Sequence, residues 1–247
     1  MEINRIHQVN YLRGFASLAV CWFHLTTCYP IVEKYDILAS VGKYGQYGVH
    51  CFFVISGFVI PYFMLNNKYD LYKFWSFMNR RMIRLSIPYY CSIVLIIIFT
   101  LILQELPTYN GEKSYYDIFA VLSHFLYITP FVGENWMNEV YWTLCVEIQY
   151  YLFIGISLKL LLYVQTKVII YLVLFVISSL IVDVNIIHYF PYWFPYFMIG
   201  IETCFLKIGK NKKTEYYIFI FINCFLIYKI FDNYILGICI ALITSFI

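Results

Sequence analysis

The sequence predicts an all-α fold: a polytopic transmembrane helix bundle of about eight spans plus one short half-helix. Three observations carry this reading. The 247 residues are 62% hydrophobic and only 13% charged, about half the charged fraction of a soluble domain. Mean hydropathy is +0.73. Aromatics reach 22%, with 26 Tyr and 23 Phe, which suits a chain with extensive lipid-facing and interfacial surface.

Apolar runs long enough to span fall at roughly 12–31, 45–64, 88–104, 141–158, 167–183, 190–206, 215–231 and 234–247. The run 119–131 (FAVLSHFLYITPF) is too short to cross and reads as a half-helix or interfacial segment. The first run holds Arg13 and His24 and lacks a small-x-small cleavage site, so it is not expected to be a removable signal. No internal repeat or low-complexity tract divides the chain, and 1–247 is expected to be a single transmembrane domain. The eight Cys show no CxxC, and most sit in apolar runs as small hydrophobes. Neither a disulfide framework nor a metal site is expected.

Net charge is only +3, so its distribution is more informative than its total, and no nucleic-acid partner is expected. Segment 66–87 carries Lys68, Lys73, Arg80, Arg81 and Arg84 against Asp70. Segment 207–213 carries Lys207, Lys210, Lys212 and Lys213 with no acid, and Lys159 and Lys167 flank another turn. By the positive-inside rule these segments face the cytoplasm, as does the N-terminus. Glu105, Glu112 and Asp117 against Lys113, and then Glu134 and Glu139, mark the outer turns.

The ionisable residues inside apolar runs are the candidate site. Arg13 and His24 are eleven residues apart, close to three helical turns, so they share a stripe about 16 Å long. An Arg at such depth costs about 2.5–3.5 kcal/mol on insertion scales and is rarely there by accident. The predicted topology puts His24 about 10–12 Å, His50 about 8 Å and Glu147 about 9 Å below the outer surface. Charged groups in a membrane interior find each other or water. A shared polar site is the economical reading, and coincidence of depth is the alternative.

Four stretches, taken in order, resemble the motifs of the acyltransferase-three family. They are RGFASLAVCWFH (Arg13 to His24), GVHCFFVISGFVI (Gly48 to Ile60), FMNRRMIRLSIPYY (Phe77 to Tyr90) and YWTLCVEIQYYLF (Tyr141 to Phe153). FPYFMIGI (Phe194 to Ile201) is a weaker likeness to that family's phenylalanine-glycine helix. Members are bacterial membrane enzymes that move acyl groups, often acetyl, onto sugars of surface polysaccharides. Two departures stand out. His50 occupies a position where the family often has an acid. The chain also lacks the final helices and the aromatic-rich Tyr…His segment of many members, so it is expected to be short at its C-terminus.

The resemblance implies an acetyl-CoA (acyl-CoA) donor, and an acceptor hydroxyl on a surface polysaccharide or its lipid-linked oligosaccharide precursor. It implies a multi-pass protein of the bacterial inner membrane, surrounded by lipid and needing no metal. His24 is the expected general base: the hydroxyl must lose its proton as it attacks the thioester, and imidazole chemistry near pH 7 suits that transfer. A packing histidine bonded across helices is the bland alternative. Glu147 would orient His24 and stabilise its imidazolium, bind an acceptor hydroxyl, or partner His50.

Arg80, Arg81 and Arg84 form a cationic helix edge suited to bidentate recognition of donor phosphates. Ordinary positive-inside charge on lipid phosphates is the rival reading. Arg13 would hold donor phosphate or pantetheine groups, against structural pairing or snorkelling. Ser56 is either a nucleophile forming an acyl-enzyme or, with Gly57, a site of close helix packing, and Gly14 can be read as packing too. Trp142 is an interfacial anchor beside the substrate pocket, and His7, His124 and His188 are expected to be bland. A transporter or flippase would need repeats or paired broken helices, which are not evident. An inactive relative is the third reading.

Overall fold

The computed structural model describes residues 7–27, 36–106, 117–180, 186–231 and 234–246. The expected outer charges Glu112 and Lys113 lie outside the described residues. Among those described, the helices are α1 (His7–Thr27), α2 (Asp36–Gly42), α3 (Gly48–Asn66), α4 (Phe74–Gln104), α5 (Ile118–Phe125), α6 (Thr129–Val132), α7 (Tyr141–Leu161), α8 (Val164–Leu180), α9 (Phe190–Lys207), α10 (Lys213–Ile230) and α11 (Tyr234–Thr244). The fold is all-α. Among the described residues, three stretches are both long and apolar enough to cross a bilayer: Ile37–Asn66, Leu71–Gln104 and Tyr141–Leu161. Val164–Leu180 and Tyr234–Thr244 are shorter apolar helices.

The short run behaves as its length requires. It breaks into α5 and α6 at Tyr127, a non-glycine residue with φ of 58°. Eight residues of α5 reach only about 12 Å, far less than a bilayer. The segment 66–87, by contrast, is not simply a loop. Asp70 caps a 3₁₀ turn by accepting from the Leu71 N–H (2.7 Å), and α4 then runs unbroken past Pro88 to Gln104. Its 31 residues extend about 47 Å, longer than the hydrocarbon layer, so the arginine-bearing turns project beyond the apolar run.

The chain forms two compact units. The first comprises 1–69, 160–174 and 192–247. At its centre α9 is buried from Trp193 to Phe205, apolar around its circumference up to Ile201 and carrying one buried carboxylate, Glu202, near its C-terminal end. It crosses α3 with the backbones in contact: a Cβ on Gly57 would stand 2.1 Å from the Phe197 carbonyl oxygen, and one on Gly200 would stand 2.1 Å from that of Val54. Gly57 is thus a packing residue. Gly14 is not, since a Cβ there would meet nothing within 4 Å. A second close approach fixes α1, whose Ala19 carbonyl oxygen lies 2.0 Å from a Cβ built on Gly45 and whose Ala16 carbonyl oxygen lies 2.7 Å from one on Gly48.

Lys167 also departs from expectation. It is not an exposed loop charge but fully buried in this unit, paired with Glu202 of α9 at 3.1 Å.

The second unit comprises 70–159 and 175–191. Its core is tyrosine-rich: Tyr89, Ile93, Tyr127, Tyr141 and Cys145 pack together, flanked by Tyr90, Phe125 and Trp136. A buried phenol needs a partner for its hydroxyl. Tyr90 donates to the Phe125 carbonyl (2.8 Å), Tyr127 donates to Ser86 Oγ (3.0 Å), and Tyr141 shares a hydrogen bond with Ser92 (2.8 Å). These bonds tie α4 to α5 and α7.

Candidate functional site

On α1 the packing residues Ala16, Ala19, Val20 and Phe23 face the Gly45–Gly48 edge. Arg13 and His24, eleven residues apart, therefore share a stripe at the flank of that face. Arg13 is exposed, and His24 is half-buried with its ring edge-on to Phe23 at 5.1 Å. His50 sits in the same unit within a box of rings from Tyr47, Trp193, Tyr196 and Phe231, at 4.7–6.3 Å. Its Nδ1 is buried. Ser56 is half-buried beside the packing Gly57.

The remaining candidates lie in the second unit. Glu147, Tyr151 and Gly155 recur every four residues and so form one stripe of α7. Gly155 admits α4 closely, since a Cβ there would stand 2.8 Å from the Phe74 ring. Phe74, Phe77 and Arg81 form the facing stripe of α4. The Arg81 guanidinium is thereby held over two rings, 5.8 Å from Phe77 and 6.0 Å from Tyr151. Glu147 accepts a hydrogen bond from the Tyr151 hydroxyl (2.5 Å), and its carboxylate lies within electrostatic reach of Arg81.

The three arginines are therefore not equivalent. Arg81 is half-buried beside the carboxylate. Arg80, which donates to Ser76 Oγ (2.8 Å), and Arg84 are exposed. A guanidinium held over aromatic faces is fixed in orientation, with its in-plane N–H donors directed to the edge of the ring cluster.

Residues 6–246 match the acyltransferase domain that defines the acyltransferase-three family. The chain belongs to that family. It is similar to O-acetyltransferase OatA of Staphylococcus aureus, strain NCTC 8325, at 29% identity over 192 residues, covering 72% of this chain and 29% of the relative. It is also similar to ORF330 of Acidianus two-tailed virus, whose name proposes an acetyltransferase, at 29% identity over 161 residues, covering 65% of this chain and 43% of the relative. The chain thus spans less than half the length of these relatives. No solved structure matches it.

Sequence reasoning missed Tyr151 and Glu202. Nothing in the pattern separates Tyr151 from 25 other tyrosines except its place four residues after Glu147. Glu202 was detectable, because a carboxylate inside an apolar run is the signal that singled out Glu147.

His124 of the half-helix and His188 of the turn preceding α9 act as acceptors that hold the turn before α7. His124 is completely buried, its Nδ1–H donates to the Ala120 carbonyl (2.7 Å), and its Nε2 accepts from the Met137 N–H (3.2 Å). His188 Nε2 accepts from the Trp136 indole N–H (3.1 Å), and Trp142 lies beside the same ring at 6.4 Å. Both arrangements require neutral imidazole, and burial lowers both pKa values, opposed at His124 by the Ala120 hydrogen bond and then Glu134, and at His188 by Glu139.

The unfolded chain consequently takes up these protons first. Stability is complete above the ordinary histidine value of about 6.5 and falls below it, by at most about 1.4 kcal/mol per pH unit for each ring. Melting in detergent should drop between pH 7.5 and pH 5, and the drop should shrink in His124→Gln/His188→Gln. An undiminished drop in the double variant would assign the acid sensitivity to other groups.

Proposed function

We propose that this protein is a membrane O-acetyltransferase that moves an acetyl group from acetyl-CoA to a hydroxyl of a surface polysaccharide or its lipid-linked precursor. Family membership and relatives named as acetyltransferases support the reaction class. The observation that carries the donor assignment is Arg81, held between two aromatic rings at the basic end of α4 with exposed Arg80 and Arg84 beside it. Coenzyme A carries several phosphates, and guanidinium groups bind phosphate through paired, charge-assisted hydrogen bonds. Arg13 adds a further cation on the α1 stripe.

His24 is the general base. Its neutral ring nitrogen takes the proton of the acceptor hydroxyl as that oxygen attacks the thioester carbonyl carbon. The carbon–sulfur bond then breaks, the new ester keeps the acetyl group, and the coenzyme leaves as a thiolate that takes up a proton. His50 and Ser56, in the same unit as His24, belong to the acceptor side. The basic end of α4 and the lysines of 207–213 face the cytoplasm of a bacterial inner membrane, where acetyl-CoA is available, and the N-terminus lies on the same side.

The donor assignment is tested with purified protein in proteoliposomes. Arg81→Ala/Arg84→Ala should raise the apparent KM for acetyl-CoA at least about tenfold, the loss expected for hydrogen bonds to charged groups. An unchanged KM would return these residues to a purely topological role.

A further inference from the structure

The turn before α7 is acidic and mostly exposed, yet buried groups of the same unit fix its shape. His124 accepts the Met137 N–H (3.2 Å), and His188 accepts the Trp136 indole N–H (3.1 Å). His188 is clamped in turn by Gln149 of α7, whose side chain donates to the His188 carbonyl (3.0 Å) and accepts from the Phe190 N–H (2.9 Å). Asn138 Oδ1 takes the Val140 N–H (3.0 Å). This frame orients Trp136, half-buried, with its ring steeply inclined to those of His188 at 5.2 Å and His124 at 5.7 Å. Around it Asn135, Asn138 and Glu139 are exposed and Glu134 is half-buried.

A tryptophan that only anchors a membrane interface keeps its indole N–H for the wet side. Trp136 turns that N–H inward to a buried histidine, so what it leaves accessible is ring carbon, bordered by two amides and two carboxylates. A sugar ring matches that combination. Its C–H face packs on the electron-rich face of an indole, and its hydroxyls, which both donate and accept, suit a rim of amides and carboxylates. An ammonium group would suit the indole and the carboxylates but give the amide donors no partner.

We propose that Trp136 and the polar side chains around it form an outer docking surface for a sugar ring of the acceptor glycan, with His188 as the residue that positions Trp136. The inference rests on the acceptor class and topology given above, and adds to them the surface that holds the glycan.

The test uses the full chain in phosphatidylglycerol nanodiscs, free of glycosidic detergent and of acetyl-CoA. Chitotetraose, maltotetraose and mannotetraose are the probes, read by saturation-transfer NMR. At least one should draw saturation at its ring C–H protons. Trp136→Leu should weaken its binding about tenfold, and Trp136→Phe, which keeps an aromatic face, should weaken it less. Asn135→Ala/Glu139→Ala changes only exposed side chains. It should weaken binding roughly 3- to 10-fold at an unchanged melting temperature, and it keeps the test decisive should Trp136→Leu fail to fold. Failure of all three probes to bind wild type would overturn the inference, as would full affinity in Asn135→Ala/Glu139→Ala or in a folded Trp136→Leu. Saturation of choline in place of the sugars would reassign the surface to a cation. Because no donor is present, sugar binding without acetyl transfer would leave the docking surface standing and remove the acetyltransferase reading. Acetyl transfer at a normal acceptor KM in Trp136→Leu would remove the docking surface alone.

Discussion

Replacing His24 by alanine should lower kcat/KM for acetyl transfer by roughly 10²- to 10⁴-fold, the usual contribution of a general base. The position of the residue on α1 makes the experiment clean. The helix is seated through Ala16, Ala19, Val20 and Phe23 against the Gly45–Gly48 edge, and His24 lies to the side of that face, half-buried. Truncating it leaves the packing groups in place, so melting temperature should change little while turnover collapses. Cells carrying wild type or His24→Ala, scored for glycan acetylation by mass spectrometry, give the same answer in the native membrane. Normal acetylation by the variant would remove the general-base assignment. No acetylation by either protein would favour a transporter or an inactive relative.

The helices were legible wherever apolar character alone defined them. The runs near 141–158 and 190–206 correspond to α7 and α9 within a few residues. The start of α4 was not legible, because Lys73, Arg80, Arg81 and Arg84 break the apolar run that marks a span, although they do not break a helix. Lys167 misled for a related reason. A lysine beside a turn reads as a solvated topology signal, and only the tertiary arrangement reveals Glu202 as its partner. Gly57 was identifiable as a packing residue within its apolar run, yet Gly14, in a similar setting, borders open space. Periodicity says which residues share a stripe. It does not say what the stripe meets.

The second large effect should come from that buried pair. Lys167 and Glu202 are both at 0% exposure and 3.1 Å apart, and Asn211 donates to the same Glu202 oxygen (2.5 Å). The other oxygen, Oε1, is buried with no hydrogen-bond partner among the described residues. The carboxylate is therefore under-satisfied even in the intact protein. Removing one partner of a buried ion pair costs about 3–5 kcal/mol, mainly because the remaining charge stays buried and unpaired.

The two single variants should nonetheless differ. In Glu202→Gln the ammonium keeps the rings of Phe219 and Phe205, at 4.5 and 5.3 Å, and desolvated cation–π contacts contribute about 2 kcal/mol. The glutamine oxygen can still accept from Asn211. In Lys167→Met the carboxylate retains only that one amide. Lys167→Met should therefore be the more destabilising variant, measured by denaturation in mixed micelles. Lys167→Met/Glu202→Met should lose less than Lys167→Met alone, since two apolar chains leave no buried charge. Additive losses in the double variant would mean that the lysine and the glutamate contribute independently, and the pair would not be the electrostatic lock that its burial and geometry indicate.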